Sequence, residues 1–137
     1  MTTPLAAPLA RSRAGTGLET ARFIDLVTFR RTGEPVGTPV LFVLEGDRVL
    51  VRTAHDAGKL KRLAHTQAVE LTPADQKGRH VGVTRSGTAR ILGQDAVAPA
   101  LAELHARYRI AAPLFTAIRR LRGQRDVIVE VLLDRVP

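Results

Sequence analysis

The stretch Val49-Leu-Val-Arg-Thr-Ala-His-Asp-Ala-Gly-Lys-Leu-Lys-Arg-Leu63 carries a strand, a tight turn and a short helix in immediate succession. Val49 to Thr53 read as the strand, and Asp56, Ala57 and Gly58 as the turn. Leu60, Leu63 and Ala64 then recur at the i, i+3, i+4 spacing of a helix. The cations are oddly placed. Lys59, Lys61 and Arg62 fall in the first turns, where the helix macrodipole is positive and disfavours them. A helix start bearing Gly58 and a cluster of cations suits an anion such as a phosphate. Equally, Asp56 can cap the helix and leave the cations as a solvated face. On these residues alone both readings stay open.

Upstream, short β-branched runs predict strands over Phe23 to Arg31 and Val36 to Leu44, the latter broken near its start by Thr38-Pro39. Gly33-Glu34-Pro35 and Glu45-Gly46-Asp47 read as turns, and Arg48 to Thr53 as the third strand. Pro39 cannot donate to a ladder, so it marks a strand start, an edge or a bulge. Residues 1–20, rich in Ala, Pro, Thr and Arg, read as a flexible or weakly helical N-terminal arm rather than a transit peptide, leaving 21–137 as one domain.

Downstream, Ala68 to Thr72 and Val81 to Leu92 are the next strands, with Gly87 as a bulge or bend. Asp95 can cap a helix whose apolar face is Val97, Leu101, Leu104 and Tyr108. A second helix runs from Pro113 to Gly123, with Arg119, Arg120 and Arg122 in a last turn where the dipole favours them. Asp126 to Leu133 closes the chain as the sixth strand. Mostly hairpin-connected strands imply an antiparallel sheet, which escapes exposed edges by closing on itself. The expected fold is mainly β: a six-stranded antiparallel barrel with peripheral helices.

At 137 residues the chain suits one domain, and its 45% hydrophobic and 25% charged content is ordinary for a globular protein. It has no Cys, which excludes disulfides and thiolate metal sites. No apolar run reaches the ~20 residues needed to span a bilayer, so no membrane partner is expected, and the location is expected to be cytoplasmic. The net charge of +8 attracts anions in general. Aromatics are only 4% and are not interleaved with cations as in single-strand binders, which disfavours nucleic acid as a partner. None of His55, His65, His80 and His105 has metal-ligand spacing, so no metal is expected. Ser12 and Ser86 lack a nucleophile-elbow context, and no paired carboxylates suggest acid–base work. A bound organic cofactor must therefore carry any redox chemistry. Catalytic residues are not identifiable.

Thr28-Phe-Arg-Arg-Thr-Gly-Glu-Pro-Val-Gly-Thr-Pro-Val-Leu-Phe-Val43, followed by Val51-Arg-Thr-Ala-His-Asp-Ala-Gly-Lys-Leu-Lys-Arg62, resembles the pyridoxamine 5′-phosphate oxidase-like split β-barrel superfamily, whose barrel binds flavin mononucleotide (FMN). Within it, the series is most similar to the deazaflavin (coenzyme F420)-dependent branch. It spans about Ile24 to Leu92; the helices and last strand match in layout only. The resemblance implies a homodimer with the cofactor in a groove at the subunit interface, and a small-molecule substrate. It places the cofactor against Thr38, Pro39, Val40, Arg52, Thr53, Gly58, Lys59, Lys61 and Arg62. The backbone at Thr38 to Val40 would line the ring, and Lys59, Lys61 and Arg62 would hold the phosphate and anionic tail.

In the FMN-binding relatives a Thr and a later Ser-Arg-Lys bind phosphate. Thr53 and Lys59 match that Thr and Lys, whereas Ala57 and Gly58 replace the Ser and Arg. Each lost charge-assisted hydrogen bond is worth ~1.5–3 kcal/mol, so the resemblance favours F420 over FMN. The expected activity is F420-dependent hydride transfer to an unsaturated small molecule. The alternatives are an FMN oxidoreductase of the same fold, or a non-catalytic basic barrel that binds a cofactor or nucleic acid.

Overall fold

Two strands carry apolar side chains on both faces, because both of their faces are covered. In β4 (Arg48–Ala54), Val49 and Val51 turn into the barrel interior while Leu50 turns outward under the helices. In β7 (Asp126–Leu133), Val129, Val131 and Leu133 point inward and Ile128 outward. Side chains alternate with period two, so a strand buried on both faces reads as a continuous apolar run. The structure, a computed structural model, describes residues 17–134.

The remaining strands are β1 (Phe23–Phe29), β2 (Pro35–Val40), β3 (Phe42–Glu45), β5 (Ala68–Ala74) and β6 (Arg85–Ile91). All pair antiparallel in the order β2-β1-β5-β6-β7-β4-β3. The described residues form seven strands rather than the six expected. The segment expected to be one strand, Val36 to Leu44, divides at Leu41. Its first part pairs with β1 at one edge of the sheet, and its second part pairs with β4 at the other. Edges that lie far apart in the ladder are thus joined by a single residue, which curls the sheet into a split barrel. The Tyr108 hydroxyl holds the bend, accepting from Phe42 N at 3.3 Å and donating to Phe42 O at 3.1 Å. Arg107 lies 4.8 Å over the Phe42 ring and donates to Ala21 O at 2.7 Å.

Gly87 is not a bulge. It sits in the ladder opposite Val69 and Leu133, and a Cβ there would come within 2.7 Å of Leu132 O. Close approach of a neighbouring strand, not a bend, is what requires glycine. The segment Val81 to Thr84 stays outside the ladder, and β6 begins at Arg85. Of the arm expected over 1–20, only Gly17 to Thr20 fall among the described residues; they form a turn, and Leu18 is fully buried in the core.

Among the described residues, three helices sit on the outside. The short α1 (Gly58–Leu63) follows β4 and buries Leu63 in the barrel core. A turn of 3₁₀ helix leads into α2 (Val97–Arg107), and α3 (Ala111–Leu121) follows. Asp95 makes no capping hydrogen bond to either. Leu104, Tyr108 and Ala112 from the helices pack on Leu41, Val43, Leu50 and Ile128 as a second apolar layer. Gly123, with φ +66°, ends α3 in the left-handed conformation that glycine tolerates best. No helix among the described residues is long and apolar enough to cross a membrane.

Candidate functional site

The end of β2, the end of β4, the start of α1, the β5–β6 loop and one side of α3 surround a cleft of 440 Å³. That volume falls within the range of sites for small organic ligands. One part is apolar, made by Phe23, Pro39, Val40, Leu41 and Phe115; another is basic, made by Arg52, Lys59 and Arg119. Asp75, Gln76, Lys77 and Gly78 form a lip. β2 is a terminal strand of the sheet, so its outer edge offers main-chain groups to a ligand.

Arg52 is almost fully buried, and its partners explain why it can be. Its Nε and Nη2 donate to Asp126 Oδ1 and Oδ2, each at 3.0 Å, and its Nη1 donates to Ala112 O at 3.2 Å. A forked pair with the third nitrogen also donating is the arrangement that offsets desolvation of a guanidinium. Asp126 carries a second cation, with Arg119 Nε 2.9 Å from Oδ1. Lys59 Nζ lies 3.4 Å from Thr53 Oγ1. Burial first, and then the charges of Arg119 and Arg62, hold the Lys59 amine below its ordinary pKa.

The lip is internally braced. Asp75 Oδ1 accepts from Lys77 N and Arg79 N, each at 2.9 Å, and Oδ2 accepts from Arg79 Nε at 2.8 Å. These donors hold the Asp75 carboxyl below its usual range, the backbone bond from Arg79 most of all. His80 Nε2 lies 3.0 Å from Asp25 Oδ2, tying the end of the loop to β1 beside Pro39.

Of the nine residues that the sequence singles out, the cleft gathers Pro39, Val40, Arg52, Thr53 and Lys59. The other four lie elsewhere. Thr38 is on the opposite side of β2 from Pro39, and its buried hydroxyl has no hydrogen-bond partner among the described residues. Arg62 reaches across to β1, donating from Nε to Thr28 Oγ1 at 2.6 Å. Gly58 gives that side chain passage, since a Cβ there would stand 3.0 Å from Arg62 Nη1. Lys61 is exposed. Asp56 does not cap α1, whose N-cap is Ala57 with no side-chain bond; its carboxylate takes the Gln124 amide at 3.0 Å. His55, which lies in the basic turn, accepts from Arg125 N at 3.0 Å and so serves the loop before β7.

Phe23, Phe115 and Arg119 were not legible as site residues. Arg119 reads in the sequence as one of several arginines at a helix end. Its one local signal is the four-residue spacing from Phe115, which puts both on one face of α3.

The pyridoxamine 5′-phosphate oxidase family model matches residues 13–131. None of the curated proteins compared with the chain matches it. Among solved structures, the heme storage protein HutZ from Vibrio cholerae is similar with a TM-score of 0.68 and 15% identity, covering 96% of this chain and 92% of that one. An F420 reductase is similar with a TM-score of 0.63 and 17% identity, covering 86% of this chain and 90% of that one. The protein Atu2129 from Agrobacterium tumefaciens strain C58, of unknown function, has a TM-score of 0.72 and 23% identity, covering all of this chain and 59% of that one.

Proposed function

Because the chain belongs to the pyridoxamine 5′-phosphate oxidase family, we propose that its cleft holds a redox cofactor, and that this cofactor is the deazaflavin F420. The observation that carries this reading is the division of one cleft into an apolar bed and a buried basic end. Such a division fits a flat ring joined to an anionic tail. The loss of the Ser and Arg of the FMN phosphate pattern, at Ala57 and Gly58, favours deazaflavin over flavin mononucleotide. Similarity to an F420 reductase supports the same choice.

Reduced deazaflavin, when bound, supplies a hydride to an unsaturated small molecule. The residues of this chain bind and orient. Phe23, Pro39 and Phe115 form the apolar bed, where a flat ring would displace water and meet substrate at a fixed face. Arg52 and Lys59 would hold the anionic end, Arg52 with its guanidinium plane fixed by Asp126.

α3 exposes Leu114, Phe115, Ile118 and Leu121, and Ile110 precedes them. A stripe of this size on the helix that also walls the cleft supports a homodimer with the cofactor groove at its interface. Leu121→Glu should shift the protein to monomers on size-exclusion chromatography with light scattering, while moving the stability of the monomer by no more than ~0.5 kcal/mol.

Titration of the purified protein with F420, followed by cofactor fluorescence, tests the central reading. Binding at or below tens of micromolar is expected; none in that range would overturn it. A protein that purifies yellow, with flavin released on denaturation, would replace deazaflavin by flavin mononucleotide.

A further inference from the structure

The sequence pattern points to Lys59 for the anionic end of the ligand and leaves α3 unassigned. We propose that Arg119 of α3 and Lys59 form a two-cation clamp on a phosphate group, with Asp126 as the counter-ion beside the Arg119 guanidinium. This rests on the reading of the cleft as a cofactor site and adds a residue to it.

Lys59 is half-buried and no carboxylate among the described residues pairs with it; its polar contact is the Thr53 hydroxyl. Arg119 is also half-buried, and no hydrogen bond to a described residue engages its guanidinium, since Nε stands 2.9 Å from Asp126 Oδ1 without alignment. Asp126 spends its aligned lone pairs on Arg52. One part-buried carboxylate therefore faces two guanidinium groups, and Lys59 feels the charge of the second. Asp56 also acts on Arg119, but it is exposed and its oxygens take the Gln124 amide. Half-buried like charges repel more strongly than they would in water, and a protein does not hold them together without return. Lys59 and Arg119 wall the same cleft, so an oxyanion entering it meets both. A planar guanidinium with free donors matches two phosphate oxygens, and a lysine acts beside it as a point charge. Burial and the Arg52 charge lower the proton affinity of Arg119, while Asp126 sustains it.

The test compares Arg119→Gln, Arg119→Lys and Arg120→Gln, each checked for unchanged thermal melting. Arg120 is exposed on the same helix, so its loss changes net charge equally without touching the cleft. The probes are inorganic pyrophosphate, triglutamate and F420, with affinity read by isothermal calorimetry and, for F420, by fluorescence. The clamp predicts at least tenfold weaker pyrophosphate and F420 binding in Arg119→Gln, partial recovery in Arg119→Lys, and less than twofold change in Arg120→Gln. It also predicts that triglutamate binds alike in all three.

Equal losses in Arg119→Gln and Arg120→Gln would overturn the clamp in favour of diffuse charge. A loss confined to triglutamate would overturn it in favour of a carboxylate site. Unchanged F420 affinity in Arg119→Gln would overturn the clamp and leave the deazaflavin reading standing. Arg119-dependent pyrophosphate binding with no F420 binding to any form would support the clamp and remove that reading.

Discussion

Two basic helix ends meet at the cleft, and they differ in what their sequences advertise. The start of α1 carries Lys59, Lys61 and Arg62, three cations where the dipole opposes them. The end of α3 carries Arg119, Arg120 and Arg122, three where the dipole favours them. The first looks like an anion site and the second like an ordinary helix end. The structure takes one residue from each: Lys59 and Arg119 line the cleft, Arg62 bonds to Thr28, and Lys61 and Arg120 are exposed. Local density of charge says little about a site. The direction in which each side chain leaves its helix, and whether a counter-ion awaits it, says more.

The largest effect should come from the carboxylate shared by Arg52 and Arg119. Asp126→Ala strands the buried Arg52 and should cost about 3–5 kcal/mol in denaturant unfolding, the usual result of removing one partner of a buried ion pair. A cost below about 1 kcal/mol would show that water reaches Arg52 and that the basic end is not preorganised.

Next is the contrast within α1. Lys59→Ala should weaken F420 binding by ~1–3 kcal/mol with the fold intact, whereas Lys61→Ala should leave it unchanged. Equal effects would break the distinction between the cleft residue and the exposed one.

A smaller signal lies in pH. Because the native pKa of Lys59 lies below the ordinary 10.5, the folded chain binds fewer protons than the unfolded one between those two values. Stability relative to Lys59→Met should therefore rise with pH across that window, read from denaturation midpoints at neutral and alkaline pH. For the same reason, binding of an anion beside Lys59 at pH values within that window should be accompanied by proton uptake, which calorimetry in buffers of different ionisation enthalpy would detect. A flat difference, or proton release on binding, would place Lys59 in solvent.

The smallest expected change is at Thr38. Its buried hydroxyl has no partner among the described residues, so Thr38→Val should hold or gain up to ~1 kcal/mol of stability. F420 affinity should not change, because Thr38 is not among the residues that line the cleft. A loss of affinity would return Thr38 to the site.

Much of the fold was legible from runs and their punctuation. β7 was expected over Asp126 to Leu133 and occupies those residues, because Val, Ile and Leu buried on both faces leave a continuous signal bounded by a turn glycine. The apolar face of α2 was legible in Val97, Leu101, Leu104 and Tyr108 for a similar reason. The division at Leu41 was not. Val40, Leu41 and Phe42 continue an apolar run, and only the separate pairings of β2 with β1 and of β3 with β4 show that the run changes sheet edge.

By itself the sequence determined the chemistry available: a cysteine-free, strongly basic, mainly β chain with Thr53 and Lys59 in a strand–turn–helix of recognisable type. Alternation and helical spacing are local properties, so they survive in one dimension. Tertiary structure alone decided which cations share a cavity, because that depends on residues distant in the chain. Arg52, Arg119 and Asp126 come together only when β4 pairs with β7 and α3 folds back over them. No short-range pattern encodes that meeting, which depends on the register of one strand pair and the packing of one helix.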